Sequence, residues 1–588
     1  MMKLIKTLII LPILLFTLVG CKEDDEAALP TLSSKSGFSI TLPYNLGTKV
    51  PLDFTASDSW TASVAKGARF NLSETSGKAG SNRILVQANR FNCTNEDLHY
   101  SFTINSTNEN GTTSVDVDIA HEPIFRLDTL SYEAKSNGDT LHIKLRTKAY
   151  LQNSTALYAV YDDGFEAMWD KSTLPANAKN KAQTLGKKRM QVATTRADDS
   201  EKKFEFDFVI KPNTTSHVLT GSLWFCISDL MLSEAITVVQ EPADAYSSQD
   251  MVTNDGKVTQ LQKHKQGKGV PIVIMGDGFL DRDITSGKYR EASNKALEGL
   301  FSLHPMKALR DYFDVYEVTA VSRNDYFTAS SSTAFSSSFT TNSTRIDGDD
   351  DKARTYAEKA IGEDRIDDAL IVVVINDPRY AGTCSMIIDP RKSDVPNGSS
   401  IAYVPLIDSK EEQMEFASVL CHEAIGHGFA KLADEYDDME LGRIPDDKKQ
   451  ELTRQQGYGC YRNVAFDPDV KKSYWADFAS DSRYASEHLG CYEGAATYAM
   501  GAYRPTDNSI MNDNTGGFNV AGRIVIYKRC MKIANGDSWK FNLADFIAFD
   551  MEEGRAAASS KRKLAAKRSD KFVPLAVPKV VYLDKNKR

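Results

Sequence analysis

The chain has 588 residues, of which 41% are hydrophobic and 26% charged, and its formal net charge at pH 7 is −9. This length predicts about three or four domains, and the hydrophobic fraction excludes a chain that is disordered throughout. The acidic balance provides no basic surface of the kind that binds nucleic acid, so we expect no nucleic-acid partner.

Residues 1–20 have the pattern of a signal peptide, because a short basic start precedes an apolar run too short to span a membrane. The run ends in Leu18-Val-Gly-Cys21, which resembles the bacterial lipobox and implies that Cys21 becomes lipidated. The acidic linker 21–28 resembles the tract that sends lipoproteins of Bacteroidetes-type bacteria to the cell surface; a plain solvated linker is the alternative. We therefore expect a lipid-anchored lipoprotein on the outer membrane of a Gram-negative bacterium, exposed at the cell surface.

Two all-β units are predicted next. Within 29–123, short runs of β-formers alternate with Gly, Asn and Ser, which is typical of a small sandwich. The stretches Ser57–Trp60, Thr75–Gly80 and Ile119–Pro123 resemble the BACON domain of secreted Bacteroidetes proteins. Within 124–242, strands of period two flank a polar insertion, which predicts a second sandwich.

The two predicted sandwiches end alike, which suggests a tandem repeat. Ile119-Ala-His-Glu-Pro123 closes the first, and Val238-Val-Gln-Glu-Pro242 closes the second. We interpret both as spacers, with glycan contact as the alternative.

A polar linker at 243–269 leads into strands that alternate with helices, which predicts an α/β (α+β) domain over 270–555. The run Ala369–Ile375 is almost wholly apolar, so we expect it at the centre of a sheet. The Ser/Thr-rich run Ala329–Thr344 is either a flap over an active site or, as we favour, a tolerated surface insertion. We expect the basic segment 556–588 to be a solvated tail.

One stretch of this domain carries recognisable chemistry: His422-Glu423-Ala-Ile-Gly426-His427. It differs by one extra residue from HExxH, in which the two histidines bind zinc and the glutamate acts as base. In a regular α-helix, residues five apart differ by about 140° and face different directions. A single π-type turn brings such residues back to one face, and Gly426 suits this distortion. The sequence therefore predicts a π-type turn at a Zn²⁺ site, with Glu423 as the catalytic base, on a helix that starts at the capping-box pattern Ser409–Glu412.

A catalytic zinc site has three protein ligands, and the sequence leaves the third open. Asp434 is the preferred ligand beside His422 and His427, because small residues before it allow the chain to turn back. Its neighbour Glu435 and the distant Glu493 are the alternatives, since carboxylates that only support a ligand have the same appearance in a sequence.

Several stretches resemble the bacterial IgA-peptidase family of zinc metallopeptidases. They are His427–Tyr436 with its Leu-Ala-Asp-Glu-Tyr ending, Ile272–Gly278, Tyr492–Ala495, and Tyr503–Pro505 leading to Ser509–Met511. The resemblance covers residues 250–550 and implies a zincin-like fold and a zinc-dependent endopeptidase. Its substrate would be an extracellular protein or peptide, such as immunoglobulin A or another host glycoprotein. The extra residue departs from the family's spacing, but the HExxGH form is similar to the dipeptidyl peptidase III motif, in which both histidines bind zinc.

Two more residues are candidates for supporting roles. Met511 resembles the Met-turn beneath some zinc sites, with plain core packing as the alternative. Tyr503 is a candidate to stabilise an oxyanion.

Two further expectations concern cysteines and function. Cys460 and Cys491 lie in matching Gly-Cys-Tyr contexts, which predicts a disulfide in an exported chain. The rival function is a non-catalytic adhesin or glycan-binding lipoprotein in which the altered spacing has destroyed the metal site. A third interpretation is the processing of peptidoglycan or of other bacterial proteins.

Overall fold

The computed structural model describes residues 28–583 with gaps at 66, 149–154, 174–179, 185–186, 196–200, 216, 229–230, 244–245, 342, 412–413 and 559–571. The predicted signal peptide, the lipidation site Cys21 and most of the acidic linker lie outside these residues. Among the described helices, none combines the length and the apolar character needed to cross a membrane.

The first unit is a sandwich of a four-stranded sheet (order β1-β3-β7-β5) and a five-stranded sheet (order β2-β9-β8-β4-β6). Alternate side chains of both sheets point into one apolar core that includes Phe54, Trp60 and Phe102. Its strands are β1 Leu32–Ser33, β2 Ser39–Leu42, β3 Val50–Ala56, β4 Trp60–Ser63, β5 Phe70–Leu72, β6 Ser76–Gly77, β7 Gly80–Ala88, β8 Leu98–Asn108 and β9 Gly111–His121.

The second unit has a three-stranded sheet (β10-β12-β16) and a seven-stranded sheet (β11-β19-β17-β13-β15-β14, with β18 on β17). Its core contains the aromatic residues Phe165, Trp169 and Phe208. The strands are β10 Phe125–Leu127, β11 Ser131–Ala134, β12 Asp139–Thr147, β13 Thr155–Tyr161, β14 Asn180–Thr184, β15 Lys187–Thr195, β16 Lys202–Ile210, β17 Leu219–Ser228, β18 Met231–Leu232 and β19 Ile236–Gln240. Helix α1 (Asp163–Met168) and a 3₁₀ turn (Lys171–Thr173) lie between β13 and β14.

A matching asparagine fixes the closing strand of each sandwich. Asn92 donates to the carbonyl of His121, and Asn213 donates to that of Glu241. Both amide oxygens accept from the backbone N–H and the hydroxyl of a threonine two residues on. This shared clamp gives a structural reason for the similar endings.

The third unit is built on a seven-stranded mixed sheet with the order β20-β22-β21-β25-β27-β26-β31. Two smaller sheets, β23-β24 and β28-β30-β29, lie beside it. Its strands are β20 Val258–Gln262, β21 Val270–Asp277, β22 Phe313–Val318, β23 Ser338–Phe339, β24 Ile346–Asp347, β25 Leu370–Ile375, β26 Thr383–Ile388, β27 Ser400–Pro405, β28 Asp437–Arg443, β29 Tyr492–Ala495, β30 Thr497–Arg504 and β31 Lys579–Tyr582.

Helices cover both faces of this sheet. The central strand β25 is fully buried, with Leu370, Val372 and Val374 in one core and Ile371 and Val373 in the other. The helices are α2 Asp281–Ser286, α3 Lys288–Leu300, α4 Met306–Leu309, α5 Asp350–Ile361, α6 Phe416–Leu420, a π-helix Cys421–Phe429, α7 Asp446–Gln456, α8 Ala476–Ala479, α9 Ile510–Asp513, α10 Val520–Asn535 and α11 Leu543–Ala558. Short 3₁₀ helices are Arg310–Tyr312, Glu363–Asp368, Val470–Lys472 and Ser482–Glu487. The predicted order, an all-β region followed by a mixed α/β region, is confirmed.

The large sheet extends beyond both predicted limits of its domain. Strand β20, from the predicted linker, pairs with β22, and β31, from the predicted basic tail, pairs with β26. The sequence did not indicate these two strands because their neighbouring residues are polar or basic, and an edge strand needs only one buried face.

Two local predictions are wrong. Cys460 and Cys491 are both free cysteines; Cys460 packs as a small apolar residue in a core cluster. The helix before the histidines begins at Phe416, not near Ser409, because the Ser409 hydroxyl accepts from the N–H of Glu411 in a local turn.

The run Ala329–Thr344 is more than a tolerated insertion. Phe335 is fully buried, and the buried carboxylate of Asp277 accepts hydrogen bonds from the N–H groups of Phe335 and Ser337, each at 3.1 Å. This run is thus tied to the end of β21.

Candidate metal centre

The helix with the two histidines changes its winding where they occur. Helix α6 leads directly into the π-helix Cys421–Phe429, and the N–H of Ala430 donates to the carbonyl of Ile425 at 2.8 Å. This i→i+5 pattern places residues five apart on one side. The π-type turn predicted from the spacing is confirmed.

The structure brings the two histidines and Asp434 together. Nε2 of His422 lies 3.1 Å from Nε2 of His427, and Oδ1 of Asp434 lies 3.2 Å from both nitrogens. All three side chains are buried. Ligand atoms at about 2.0–2.2 Å from a tetrahedral zinc ion lie roughly 3.3 Å apart, so the triangle has the size of one face of such a site.

The tautomers of the two rings follow from their other nitrogens. Nδ1 of His422 donates to the carbonyl of Ile510 at 2.9 Å, and Nδ1 of His427 donates to that of Leu432 at 2.8 Å. Because a carbonyl only accepts, each neutral ring carries its hydrogen on Nδ1 and a lone pair on Nε2. Two lone pairs and a carboxylate oxygen therefore converge, and a cation satisfies all three at once.

The environment keeps Asp434 ionised. Burial would raise the pKa of Asp434, but the adjacent imidazoles, His427 foremost, outweigh it and lower that pKa to about 2. A charged carboxylate is the form that binds a metal ion.

The two rival carboxylates have other partners. Glu435 accepts hydrogen bonds from Asn463 (2.9 Å), Ser509 (2.6 Å) and Asn519 (2.9 Å), so it fastens the turn that carries Asp434. Burial raises its pKa, and these hydrogen bonds act in the opposite direction. Glu493 is exposed on β29 and accepts from the N–H of Gly501. Of the three candidates, only Asp434 joins the histidines.

Glu423 is buried without a hydrogen-bond partner on either oxygen among the described residues. Burial raises its pKa to about 8, with a smaller increase from the charge of Asp434 and an opposing effect of His422. A side chain at Gly382 would lie 3.0 Å from Cγ of Glu423, so the backbone entering β26 passes directly over this carboxylate. A carboxyl group with a pKa near neutrality, beside a metal-ligand cluster, suits proton transfer.

Met511 lies against the π-helix. A Cβ at Gly426 would lie 2.2 Å from Sδ of Met511, so the close approach requires glycine there. Met511 is itself buried, and its carbonyl accepts from the N–H of Glu435 at 2.7 Å. Met511 thus packs against the helix that carries the histidines, and its role as a Met-turn stays a prediction.

The tyrosine that faces Glu423 is not the predicted one. Tyr503 pairs with Glu493 across the β29–β30 hairpin, and burial, followed by the charge of Glu493, raises the pKa of Tyr503. Tyr380 instead lies at the start of the strand that passes Glu423; burial, and then the charge of Glu423, raise its pKa. Its hydroxyl accepts from Nδ2 of Asn514 at 3.2 Å.

Sequence analysis missed Tyr380, Asn463 and Asn519. The asparagines lie 28 and 84 residues from Glu435, so no local spacing marks them. The only available signal was that Tyr380 precedes a short buried strand.

Metal-dependent hydrolases use this kind of arrangement, in which a helix presents two histidines and a glutamate and a later carboxylate returns to the histidines. Residues 259–483 match the family described as IgA Peptidase M64.

No curated protein matches the chain. Solved structures match only at low similarity. A protein of unknown function from Porphyromonas gingivalis has 8% identity, with 36% of this chain and 100% of that chain covered and a TM-score of 0.15. A domain of intimin has 9% identity, with 36% and 99% covered and a TM-score of 0.16. TM-scores this low do not define a shared fold.

Proposed function

We propose that this protein is a zinc-dependent endopeptidase with a zincin-like catalytic unit. The observation that carries the proposal is the convergence of two imidazole lone pairs and one ionised carboxylate, which no protein donor satisfies among the described residues. Two imidazoles and a carboxylate suit zinc, and three protein ligands leave a fourth position for chemistry. The peptidase family of residues 259–483 supports the same reaction class.

The chain's own residues supply the remaining chemistry. When bound at His422, His427 and Asp434, zinc supplies Lewis acidity, which activates a water near neutral pH and polarises a carbonyl oxygen. An oxygen of Glu423 takes a proton from the attacking water and delivers it to the leaving amine nitrogen. The buried setting of Glu423 keeps bulk water from competing for that proton.

The proposal extends to where and on what the enzyme acts. The lipobox-like Leu18–Cys21 supports a lipoprotein at the outer surface of a Gram-negative cell, with the two sandwiches as a spacer. An extracellular protein is then the substrate, and immunoglobulin A or another host glycoprotein is the leading class.

The test uses the full-length protein purified from a zinc-containing medium. We expect about one zinc per chain, cleavage of a mixed peptide library, loss of cleavage with a chelator, and recovery when zinc is returned. A folded protein that holds no metal and cleaves nothing would contradict the proposal and favour the adhesin interpretation.

A further inference from the structure

The strand next to Glu423 is paired on its outer edge by a distant segment of the same chain. In β26, Ser385 to Ile388 pair in parallel with β31, from Lys579 to Tyr582, and the N–H of Leu583 donates to the carbonyl of Ile388. Strand β26 follows directly from Gly382, which passes over the Glu423 carboxylate. Residues 572–583, here called the C-terminal segment, therefore lie along the edge that leads to the catalytic groups.

The first part of the C-terminal segment is bound through its backbone. Three successive carbonyls each accept from a side-chain hydroxyl: that of Val573 from Tyr380 (2.8 Å), that of Pro574 from Thr344 (3.1 Å) and that of Leu575 from Tyr436 (2.6 Å). Contacts to successive carbonyls recognise an extended peptide irrespective of its side chains.

Two of the three hydroxyls belong to residues that adjoin the candidate metal centre along the chain. Tyr380 is two residues before Gly382, which contacts Glu423, and Tyr436 is two residues after Asp434. Thr344 is tied to the Tyr380 side, because its carbonyl accepts from the N–H of Gly382. An extended peptide held by these groups therefore runs past residues that adjoin the proposed catalytic groups.

Space for a longer peptide continues from this point. A cleft of about 560 Å³ is bounded by Tyr380 and residues 573–576 on one side and by Thr340, Ser343 and the second sandwich on the other. Clefts of this size accommodate several side chains.

Most residues of the C-terminal segment are half-buried or exposed. Phe572 and Leu575 are buried, whereas Val573, Val577 and Val581 are 47%, 48% and 37% exposed. Pro574 and Pro578 have no N–H, so the segment cannot form a continuous ladder with β26. Its direction is parallel to β26, although antiparallel pairing is slightly more stable per residue. These features favour an occupant that can be displaced.

We propose that Tyr380, Thr344 and Tyr436 form a backbone-recognition groove for an extended polypeptide substrate, and that the C-terminal segment is its resident competitor. The inference rests on the proposed peptidase function. A substrate must displace the segment, so the resting enzyme is restrained in proportion to the fraction of molecules whose groove is filled.

The first test loosens the segment in the full-length protein. Phe572→Ser/Leu575→Ser removes both buried anchors, and Val252→Ser, at an 80% exposed position, is the matched control. With a quenched-fluorescence peptide library, we expect kcat/KM to rise about tenfold in the double variant and to change less than about twofold in the control. A folded double variant with unchanged or lower kcat/KM would overturn the inference.

The second test fixes the segment in place. Ile387→Cys/Val581→Cys places two thiols at paired positions of β26 and β31. We expect the oxidised variant to lose activity and the reduced variant to regain it, with the wild type unaffected by the same treatment. Equal activity in both states would contradict the inference, and this test does not depend on the folding of the loosened variant.

A binding measurement separates this inference from the proposed function. A fluorescent peptide of residues 572–583 should bind the loosened variant saturably, be displaced by library peptides, and bind the wild type more weakly. Absence of binding would overturn the groove even if the wild type cleaves peptides. Binding and displacement without cleavage by any variant would support the recognition groove and contradict the proposed peptidase function.

Discussion

At the scale of single residues, a change at Glu423 tests catalysis separately from metal binding. The Glu423 side chain is buried beside the histidines but outside the triangle of ligand atoms. Glu423→Gln keeps the shape of the side chain and removes its ability to take a proton. We expect cleavage to fall by about 10²–10⁴-fold, while zinc content stays near that of the wild type. Activity above this range would remove Glu423 from the role of base.

The raised pKa of Glu423 makes the stability of the zinc-free protein depend on pH. Its pKa rises from the ordinary value of 4.5 to about 8 because burial disfavours the charge. The native state therefore binds more protons than the unfolded state between these values, so stability is full below pH 4.5 and is lost as pH rises to 8.

The stability of the Glu423→Gln variant does not depend on pH in this way. In chelated samples we expect the variant to melt at a higher temperature than the wild type at pH 8, with a smaller difference at pH 5. Added zinc should shrink the difference, because a cation favours the ionised carboxylate. The same melting difference at both pH values would contradict the account.

A measurement of zinc affinity distinguishes Asp434 from the other candidate ligands. Asp434→Asn removes the carboxylate that contacts both histidines, and we expect equilibrium dialysis to show a loss of zinc affinity of about 10²-fold or more. Glu493→Gln alters an exposed side chain and should keep the zinc affinity of the wild type. Equal loss in both variants would show that the cluster is not the metal site.

The sequence narrowed the third ligand to three carboxylates and favoured Asp434 only through the small residues before it. The choice depends on Asn463, Ser509 and Asn519, which bind Glu435 and leave Asp434 to face the histidines. Those partners come from later parts of the chain, so no spacing near residue 434 encodes the result.

At the scale of elements, the π-helix is the feature on which the site depends. Its C-terminal carbonyls, which a helix end leaves without partners, accept from the buried guanidinium of Arg529, at 2.6 Å for Phe429. On its inner face, Gly426 lets the side chain of Met511 pack closely against the helix backbone. The extra residue between the histidines is thus built into the packing on both sides.

Gly426→Ala tests this packing. The new methyl group would overlap Sδ of Met511, so the helix or the methionine must move, at about 1–3 kcal/mol. We expect a lower melting temperature and roughly tenfold weaker zinc binding in Gly426→Ala, and partial recovery in Gly426→Ala/Met511→Ala.

Gly47→Ala is the control, since nothing lies within 4 Å of a Cβ there. If Gly426→Ala binds zinc as tightly as this control, the helix does not need the close approach.

Elements with a clear local sequence pattern were predictable, and elements defined by partners far along the chain were not. The apolar run at β25 was predicted correctly because full burial leaves a continuous hydrophobic signature. The π-type turn was predictable because geometry left no other way to unite residues five apart. Strands β20 and β31 were missed because their pairing depends on neighbours far along the chain.

At the scale of the whole molecule, contacts among the described residues join each sandwich to the third unit. The side chain of Arg443 on β28 donates to the hydroxyl of Thr103 at 3.2 Å. In the second sandwich, Glu133 accepts from the N–H of Ala329 at 2.9 Å, and Glu241 accepts from the hydroxyl of Ser330 at 2.5 Å. The second contact holds the Ser/Thr-rich run that borders the cleft, so the second sandwich also lines this cleft.

The central claim is that His422, His427 and Asp434 bind one zinc ion despite the extra residue between the histidines. Anomalous diffraction at the zinc edge from crystals of the full-length protein tests it most directly. We predict one peak about 2.0–2.2 Å from Nε2 of each histidine and from an oxygen of Asp434. A zinc peak that lacks either histidine, or imidazoles that point apart with no peak between them, would contradict it.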